Sequence, residues 1–221
     1  MEAKKHSWHG PKQIGMMIYT AILFLIGTSI IGGNNNTVFP MFSEIRGWDV
    51  NVINVVSGLA CIAKAIGVLV LARVVKKTGA KNLTTVTLIL SALLLIVFGT
   101  TKSLPLFLIV ILIIGFLGGG YEKNGGMTLT ASWWPTKKGI VLGFTTMGIV
   151  AMNFLYVPMM PKLLGKLGLG GGMTVIAVIL IIVAIITAIC VKNNPEEAGE
   201  YPVEDPTYAV NGAEIAQMMK E

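Results

Sequence analysis

Four consecutive polar residues interrupt a long apolar stretch and are the side chains best suited to chemistry in this chain. Tyr121, Glu122, Lys123 and Asn124 lie between two glycine clusters inside residues 104–132. As a helix, this stretch would extend about 43 Å, which is enough to cross a bilayer core of about 30 Å. Lys123 would then lie about 15 Å from the end of the span. A charge at that depth costs about 2.5–3.5 kcal/mol, so we expect it to face a bundle interior or a water-filled cavity.

A second cation is expected at a similar depth. Lys64 lies near the centre of another apolar stretch, residues 50–75, about 16 Å from its end. We expect Glu122 to pair with Lys64 and to leave Lys123 for an anionic ligand, although the reverse assignment fits equally well. Adjacent residues of an α-helix point about 100° apart, so Glu122 and Lys123 are not expected to neutralise each other. A purely structural ion pair stays open as the alternative.

Two further apolar stretches carry polar side chains. Asn34 and Asn35 lie in residues 14–42, and asparagines in lipid require neighbouring helices or water to satisfy their amides. These asparagines could form hydrogen bonds between helices or could contact a substrate, and the sequence leaves both roles open. The same two roles apply to polar residues of the stretch 140–164. The candidate binding residues are therefore Asn34, Asn35, Lys64, Tyr121, Glu122, Lys123, Asn124, Asn153 and Tyr156.

Composition indicates a helical membrane protein. Of the 221 residues, 54% are hydrophobic and only 13% are charged, and the mean hydropathy is +0.76. The apolar residues occur in runs close to the length of a membrane span. This pattern predicts an all-α membrane protein with six transmembrane helices. The predicted spans are residues 14–42, 50–75, 83–99, 104–132, 140–164 and 173–191.

The segments between the spans predict the topology. The N-terminal tail (1–13), the turn after the second span and the turn after the fourth together hold nine Lys and Arg, against four in the opposite loops. By the positive-inside rule, both termini are cytoplasmic, and the plasma membrane is the expected location. The polar segment 192–221 is then a cytoplasmic tail or linker, with at most a short helix from Ala213 to Lys220.

Several classes of function lack support in the sequence. Both cysteines lie in apolar runs and both histidines lie in the N-terminal tail, so no metal-ligand spacing is present and no cofactor is predicted. A nucleophile with a nearby base and a phosphate-binding loop are also missing, which disfavours a membrane enzyme. The net charge of +6 comes mainly from residues beside the spans, so it reflects topology rather than nucleic-acid binding.

The turn after the second span resembles a motif of the major facilitator superfamily of transporters. The superfamily pattern G-x-L-x-D-R-x-G-R-[KR] aligns with residues 72–81, where Lys77, Gly79 and Lys81 match and Lys76 replaces the acidic residue. We interpret Lys76, Lys77, Gly79 and Lys81 as a gating turn on the strength of this resemblance. The stretches FPMFSEIRGWDVNVINVVSG, WWPTKKGIVLG and NPEEAGEYP are similar to the oxalate/formate antiporter and monocarboxylate transporter branch.

The resemblance implies a fold and a function. Superfamily members have twelve spans in two six-helix halves with the substrate between them, so the predicted spans correspond to the N-terminal half. The implied partners are a small organic anion, possible protons taken up at Glu122, and a second six-helix half from a separate chain or a second copy. The alternative is a degenerate half that serves as a scaffold or regulatory subunit, which the Lys76 departure favours. Whether the chain is a natural half, one product of a split gene or a truncated remnant stays open.

Overall fold

Helices make up nearly all of the described structure. The computed structural model describes residues 10–135 and 137–198, apart from the side chains of Asn35, Asn36 and Glu196, and these residues include no strand. The predicted C-terminal helix and the outer part of both predicted tails lie outside this range. The α-helices are α1 (Pro11–Thr28), α2 (Asn34–Arg46), α3 (Val50–Thr100), α4 (Leu104–Gly118), α5 (Met127–Trp133) and α6 (Lys138–Cys190). Two π-helical segments, π1 (Ser29–Gly33) and π2 (Gly119–Gly126), and a 3₁₀ turn (Pro195–Ala198) complete the described elements.

The π segments join neighbouring α-helices into longer helical runs. Residues 11–46 form one run through π1, and residues 104–133 form another through π2. The first run ends where Gly47 adopts a left-handed conformation with φ of 68°. The next helix begins at Val50, since the side chain of Asp49 accepts a hydrogen bond from the Asn51 N–H at 2.8 Å. These runs contain the predicted spans 14–42 and 104–132.

Four helical runs of the described residues are long and apolar enough to span a membrane: Pro11–Gly33, Val50–Thr100, Leu104–Trp133 and Lys138–Cys190. Two of them, with 51 and 53 residues, are each broken once. Gly79 interrupts α3 with φ of 81°, and Gly168 interrupts α6 with φ of 71°. We name the parts α3a (50–78), α3b (80–100), α6a (138–167) and α6b (169–190).

The breaks at these two glycines are shorter than the sequence predicts. The predicted spans leave residues 76–82 and 165–172 as turns between helices, but only Gly79 and Gly168 leave the helical conformation. The prediction of extended turns is therefore wrong. Glycine has no Cβ and adopts positive φ without strain, so a single residue is enough to redirect the chain.

Contacts between side chains define the packing of the bundle. The α1 run is parallel to α6a, because Thr20 bonds to Thr145 (Oγ1 to Oγ1, 3.1 Å) and, further along, Asn34 bonds to Tyr156. It also contacts α6b, where the Tyr19 hydroxyl lies 2.7 Å from the hydroxyl of Thr187. The run containing π2 packs against α3a, α3b and α1. Helix α6 packs mainly against α3 and α1.

An aromatic cluster fills one end of the bundle. It joins α2, α3b and α4 and consists of Phe39, Phe42, Trp48, Phe98 and Phe107. The Phe98 and Phe107 rings stack with centroids 4.5 Å apart. The Arg46 guanidinium lies over Phe42 and Trp48, at 5.5 and 5.3 Å from the ring centroids, and donates a hydrogen bond to the Gly99 carbonyl at 2.9 Å.

Residues 191–198, the end segment, lie across the other end of the bundle. The Lys81 N–H donates to Asn193 Oδ1 at 2.9 Å, and the Asn193 side chain fills the space beside Gly79. The Ser132 hydroxyl donates to the Asn193 carbonyl at 2.7 Å, and the Trp133 indole donates to the carbonyl of Lys192 at 3.1 Å. These bonds connect the turn between α3a and α3b to the end of α5.

Candidate functional site

The π2 segment brings its polar residues into close contact with three neighbouring parts of the bundle. Its glycines make this approach possible, because an added Cβ would overlap atoms of an adjacent helix. At Gly119 the Cβ would overlap the main chain of α3a, at Gly125 the Thr84 side chain of α3b, and at Gly126 the Phe24 ring of α1. The wider π turn therefore lies directly against α1, α3a and α3b.

Glu122 is the buried centre of a charge cluster formed with Lys64 and Lys123. Its side chain is only 1% exposed, whereas those of Lys64 and Lys123 are 17% and 30% exposed. Oε2 of Glu122 pairs with the ammonium group of Lys64, and Oε1 lies 3.0 Å from Nζ of Lys123. With all three groups ionised, the cluster carries a net charge of +1 and is open on the side of the lysines.

One of the two pairing predictions is confirmed and the other is wrong. Glu122 pairs across to Lys64, as expected. Lys123 is not left free, because it contacts the same carboxylate. The expectation assumed α-helical geometry, in which adjacent side chains diverge by about 100°. Residues 119–126 form a π-helix, whose wider turn changes that geometry, and a flexible lysine can then reach the neighbouring carboxylate.

Helix α1 contributes contacts to both lysines that the sequence did not reveal. The Lys64 ammonium donates to the Gly27 carbonyl at 3.4 Å. The Lys123 ammonium lies 4.6 Å from the centroid of the Phe24 ring, a distance at which a cation is attracted to the ring face. Neither residue has a signal in the sequence, because glycine and phenylalanine are both ordinary in an apolar span.

The other two polar residues of π2 contact α3a or the core beside it. The Asn124 side chain donates to the Val68 carbonyl of α3a at 3.0 Å. Tyr121 is buried, and its hydroxyl and the Lys64 side chain both lie 3.8 Å from the position that a Cβ on Gly118 would take. The structure therefore brings four of the predicted binding residues together with Lys64.

The remaining predicted binding residues lie elsewhere. Asn34 is buried and pairs with the Tyr156 hydroxyl at 2.5 Å, linking the α1 run to α6a about 10 Å along the helix from Gly27. Asn153 is exposed on α6a. The side chain of Asn35 is outside the described part of the chain.

The predicted gating turn is the break between α3a and α3b. Lys76 and Lys77 are exposed, and Gly79 supplies the change of direction. The main chain of Lys81 is held by Asn193 of the end segment. No residue beyond the sixth predicted span was among the candidates, so the contact to Asn193 is a feature that the sequence reading missed.

The groups at this site are suited to binding a charged ligand. Two ammonium groups share one carboxylate, and a small anion could bind the lysines at their exposed side. Within the described residues, no group of three or more His, Cys, Asp or Glu is placed to hold a metal ion.

The fold and the charge cluster define a helical integral membrane protein with ionisable groups inside its bundle. The chain matches the Major Facilitator Superfamily over residues 17–213. This protein therefore belongs to the Major Facilitator Superfamily, whose members are in general membrane transporters rather than enzymes. A search of curated proteins finds no match to the chain.

Proposed function

We propose that this protein is a secondary transporter that moves a small organic anion, a mono- or dicarboxylate, across the membrane by alternating access. The observation that carries the proposal is the charge cluster, in which Lys64 and Lys123 hold one buried carboxylate and retain a net positive charge. Charged groups inside a membrane domain are costly and are usually part of a substrate or ion pathway. The similarity of the three motifs to the oxalate/formate and monocarboxylate branch supports a carboxylate substrate and an exchange mechanism.

In the proposed topology, the protein crosses the plasma membrane six times and both of its termini lie in the cytoplasm. A straight helix of 51 residues, the length of α3, would extend about 76 Å, more than twice the thickness of a bilayer core. We therefore propose that α3 and α6 each cross twice and turn at Gly79 and Gly168. The distribution of Lys and Arg supports the orientation.

A second six-helix half, encoded separately or supplied by another copy, would complete the transport pathway. Lys64 and Lys123 are partly exposed at the surface of the bundle, and an exposed charge in lipid is unfavourable. A facing half would enclose these lysines in a polar pathway. Rocking of the two halves would then give alternating access.

Proton coupling at Glu122 is part of this proposal. Protonation of the buried carboxylate would remove its charge and release both lysines to an anionic substrate. Binding of a proton and binding of the anion would then favour each other, which would make transport dependent on pH.

One observation favours a second function, that of a non-transporting scaffold or regulatory subunit. Glu122 contacts both lysines, so its charge is already compensated without a ligand. Lys76 also occupies the position where the superfamily turn motif has an acidic residue. Under this alternative, the cluster would be a structural ion pair.

Uptake in proteoliposomes separates the two functions. The assay uses radiolabelled oxalate, formate and lactate with the parent protein and with Lys64→Met and Lys123→Met, together with any second half that copurifies. We expect each substitution to weaken carboxylate affinity at least about tenfold, since a charge-assisted hydrogen bond contributes about 1.5–3 kcal/mol. Lys162→Met is the matched control, because Lys162 is an exposed lysine of α6a. Unchanged affinity for every transported carboxylate in both variants would show that the site is wrong, and no uptake by the assembled parent would favour the scaffold.

A further inference from the structure

The space between α1 and π2 is shaped by a missing side chain. Gly27 faces Glu122 so closely that an added Cβ would overlap Oε2, Cβ and Cδ of the glutamate. Oε2 is the oxygen that pairs with Lys64. The volume that a side chain at position 27 would need is therefore already occupied by the carboxylate.

The main chain at the same position contacts the charge cluster directly. The Gly27 carbonyl accepts from the Lys64 ammonium at 3.4 Å, while Glu122 compensates the charge of that ammonium. Gly27 therefore contributes in two ways: its missing side chain leaves room for the Glu122 carboxylate, and its carbonyl accepts from the Lys64 ammonium that pairs with that carboxylate. A larger residue would displace the acid and separate the carbonyl from the lysine.

We infer that Gly27 is a positioning residue for the charge cluster, and that its missing side chain holds the Glu122 carboxylate between Lys64 and Lys123. Any side chain at position 27 pushes the carboxylate away from Lys64 first, because Oε2 is the closest atom. Lys64 then becomes an uncompensated cation. Any effect of Gly27 on anion affinity rests on the proposed carboxylate site. The role of Gly27 in placing Glu122 does not rest on it.

Chemical labelling of lysines tests the placement without any transport assay. Purified full-length protein in detergent is treated with an amine-reactive reagent, and labelling of Lys64 and Lys123 is measured by mass spectrometry. We expect Gly27→Ala to raise labelling of Lys64 roughly two- to fivefold, because a displaced carboxylate holds the unreactive ammonium form of Lys64 less strongly. Gly15→Ala is the matched control on α1, where an added Cβ would meet nothing within 4 Å, and it should leave labelling unchanged.

A double-mutant cycle shows whether Gly27 acts through the carboxylate. Glu122→Gln keeps the size of the side chain and removes its charge, so it should free Lys64 by itself. In that background, Gly27→Ala should produce no further increase, because the pair is already lost. A general loosening of the helices would instead add to the effect of Glu122→Gln.

Each outcome supports or contradicts the inference. The inference is overturned if Gly27→Ala leaves Lys64 labelling unchanged. It is also overturned if Gly27→Ala increases Lys64 labelling as much in the Glu122→Gln background as it does in the parent protein. If Gly27→Ala does not accumulate, the Gly27→Ala/Glu122→Gly double variant replaces it: recovered accumulation supports the inference, and continued failure overturns it. Carboxylate uptake is measured in parallel. If Gly27→Ala increases the labelling of Lys64 but the parent protein transports no carboxylate, the transport proposal alone is rejected. If Lys64→Met weakens uptake but Gly27→Ala leaves Lys64 labelling unchanged, the role of Gly27 alone is rejected.

Discussion

The charge cluster and the aromatic cluster both contact the helical runs 11–46 and 104–133, but by different means. Near the middle of the bundle, Glu122 pairs with Lys64 of α3a, and Lys123 reaches the run 11–46 by lying over Phe24. At one end of the bundle, Phe42 of the run 11–46 packs on Phe107 of the run 104–133. The charge cluster relies on a buried carboxylate between two lysines. The aromatic cluster relies on rings with centroids 4.5–6.4 Å apart.

Each cluster also contains a cation above an aromatic ring, and the partners of that cation differ. Lys123 lies over Phe24 and contacts the charge of Glu122. Arg46 lies over two rings and donates to a main-chain carbonyl, Gly99. A carboxylate can be replaced by the carboxylate of a ligand, whereas rings and a carbonyl have no such competitor. The charge cluster is therefore suited to the exchange of partners that we propose, whereas the aromatic cluster is suited to fixed packing.

The largest expected effect is that of Glu122→Ala. It leaves the two lysines without their shared carboxylate, and breaking a buried pair in this way costs about 3–5 kcal/mol. We expect a clear fall in the thermal unfolding midpoint in detergent, or a failure of the variant to accumulate. Glu44→Ala is the control, because Glu44 is exposed at the end of α2. If Glu122→Ala were as stable as this control, the carboxylate could not be what compensates the lysines.

A smaller effect, with a different functional result, is expected for Phe98→Ala. Phe98 is 1% exposed and stacks on Phe107, so its truncation leaves a cavity. Such a change costs about 3–5 kcal/mol in soluble cores, and we expect about 3 kcal/mol here because lipid is as apolar as the ring. Carboxylate affinity of the folded fraction should stay at the parent value.

Phe144→Ala is the matched control for Phe98→Ala, since Phe144 is 48% exposed. It should change the unfolding midpoint little. A loss of carboxylate affinity in Phe98→Ala, measured on protein that remains folded, would contradict the division of roles between the two clusters.

Sequence reasoning located the charge cluster but not its geometry. Charges at a similar depth had to avoid lipid, so Glu122 was expected to pair with a lysine, but the sequence left open whether that lysine was Lys64 or Lys123. The contact of Lys123 with Glu122 could not be foreseen, since the α-helical period was assumed for a segment that is a π-helix. Clustered glycines on both sides of residues 121–124 were the available signal, because they permit the close packing that accompanies the wider turn.

The parts of the fold that escaped prediction depend on contacts between distant residues. The helical runs follow from apolar length, which is local information. Gly27 looks like any small residue of an apolar span until Glu122 is placed against it. Asn193 is equally inconspicuous, because its role comes from Gly79 and Lys81, more than a hundred residues earlier.

The smallest expected effect belongs to Asn193, which holds helix ends with neither charge nor rings. Asn193→Ala removes the acceptor of the Lys81 N–H but keeps the main-chain carbonyls that bind Ser132 and Trp133. We therefore expect a loss of about 1 kcal/mol, the usual contribution of one hydrogen bond. Asn193→Asp keeps an acceptor oxygen and should lose less stability than the alanine variant.

Asn194→Ala is the control for Asn193→Ala, because this neighbour is exposed. The measurement is the unfolding midpoint of each variant in the same detergent. If Asn193→Ala lowered the unfolding midpoint as much as Glu122→Ala does, the end segment would support the bundle at least as strongly as the charge cluster. If Asn193→Ala and Asn194→Ala had the same unfolding midpoint, the Asn193 side chain would contribute nothing to stability.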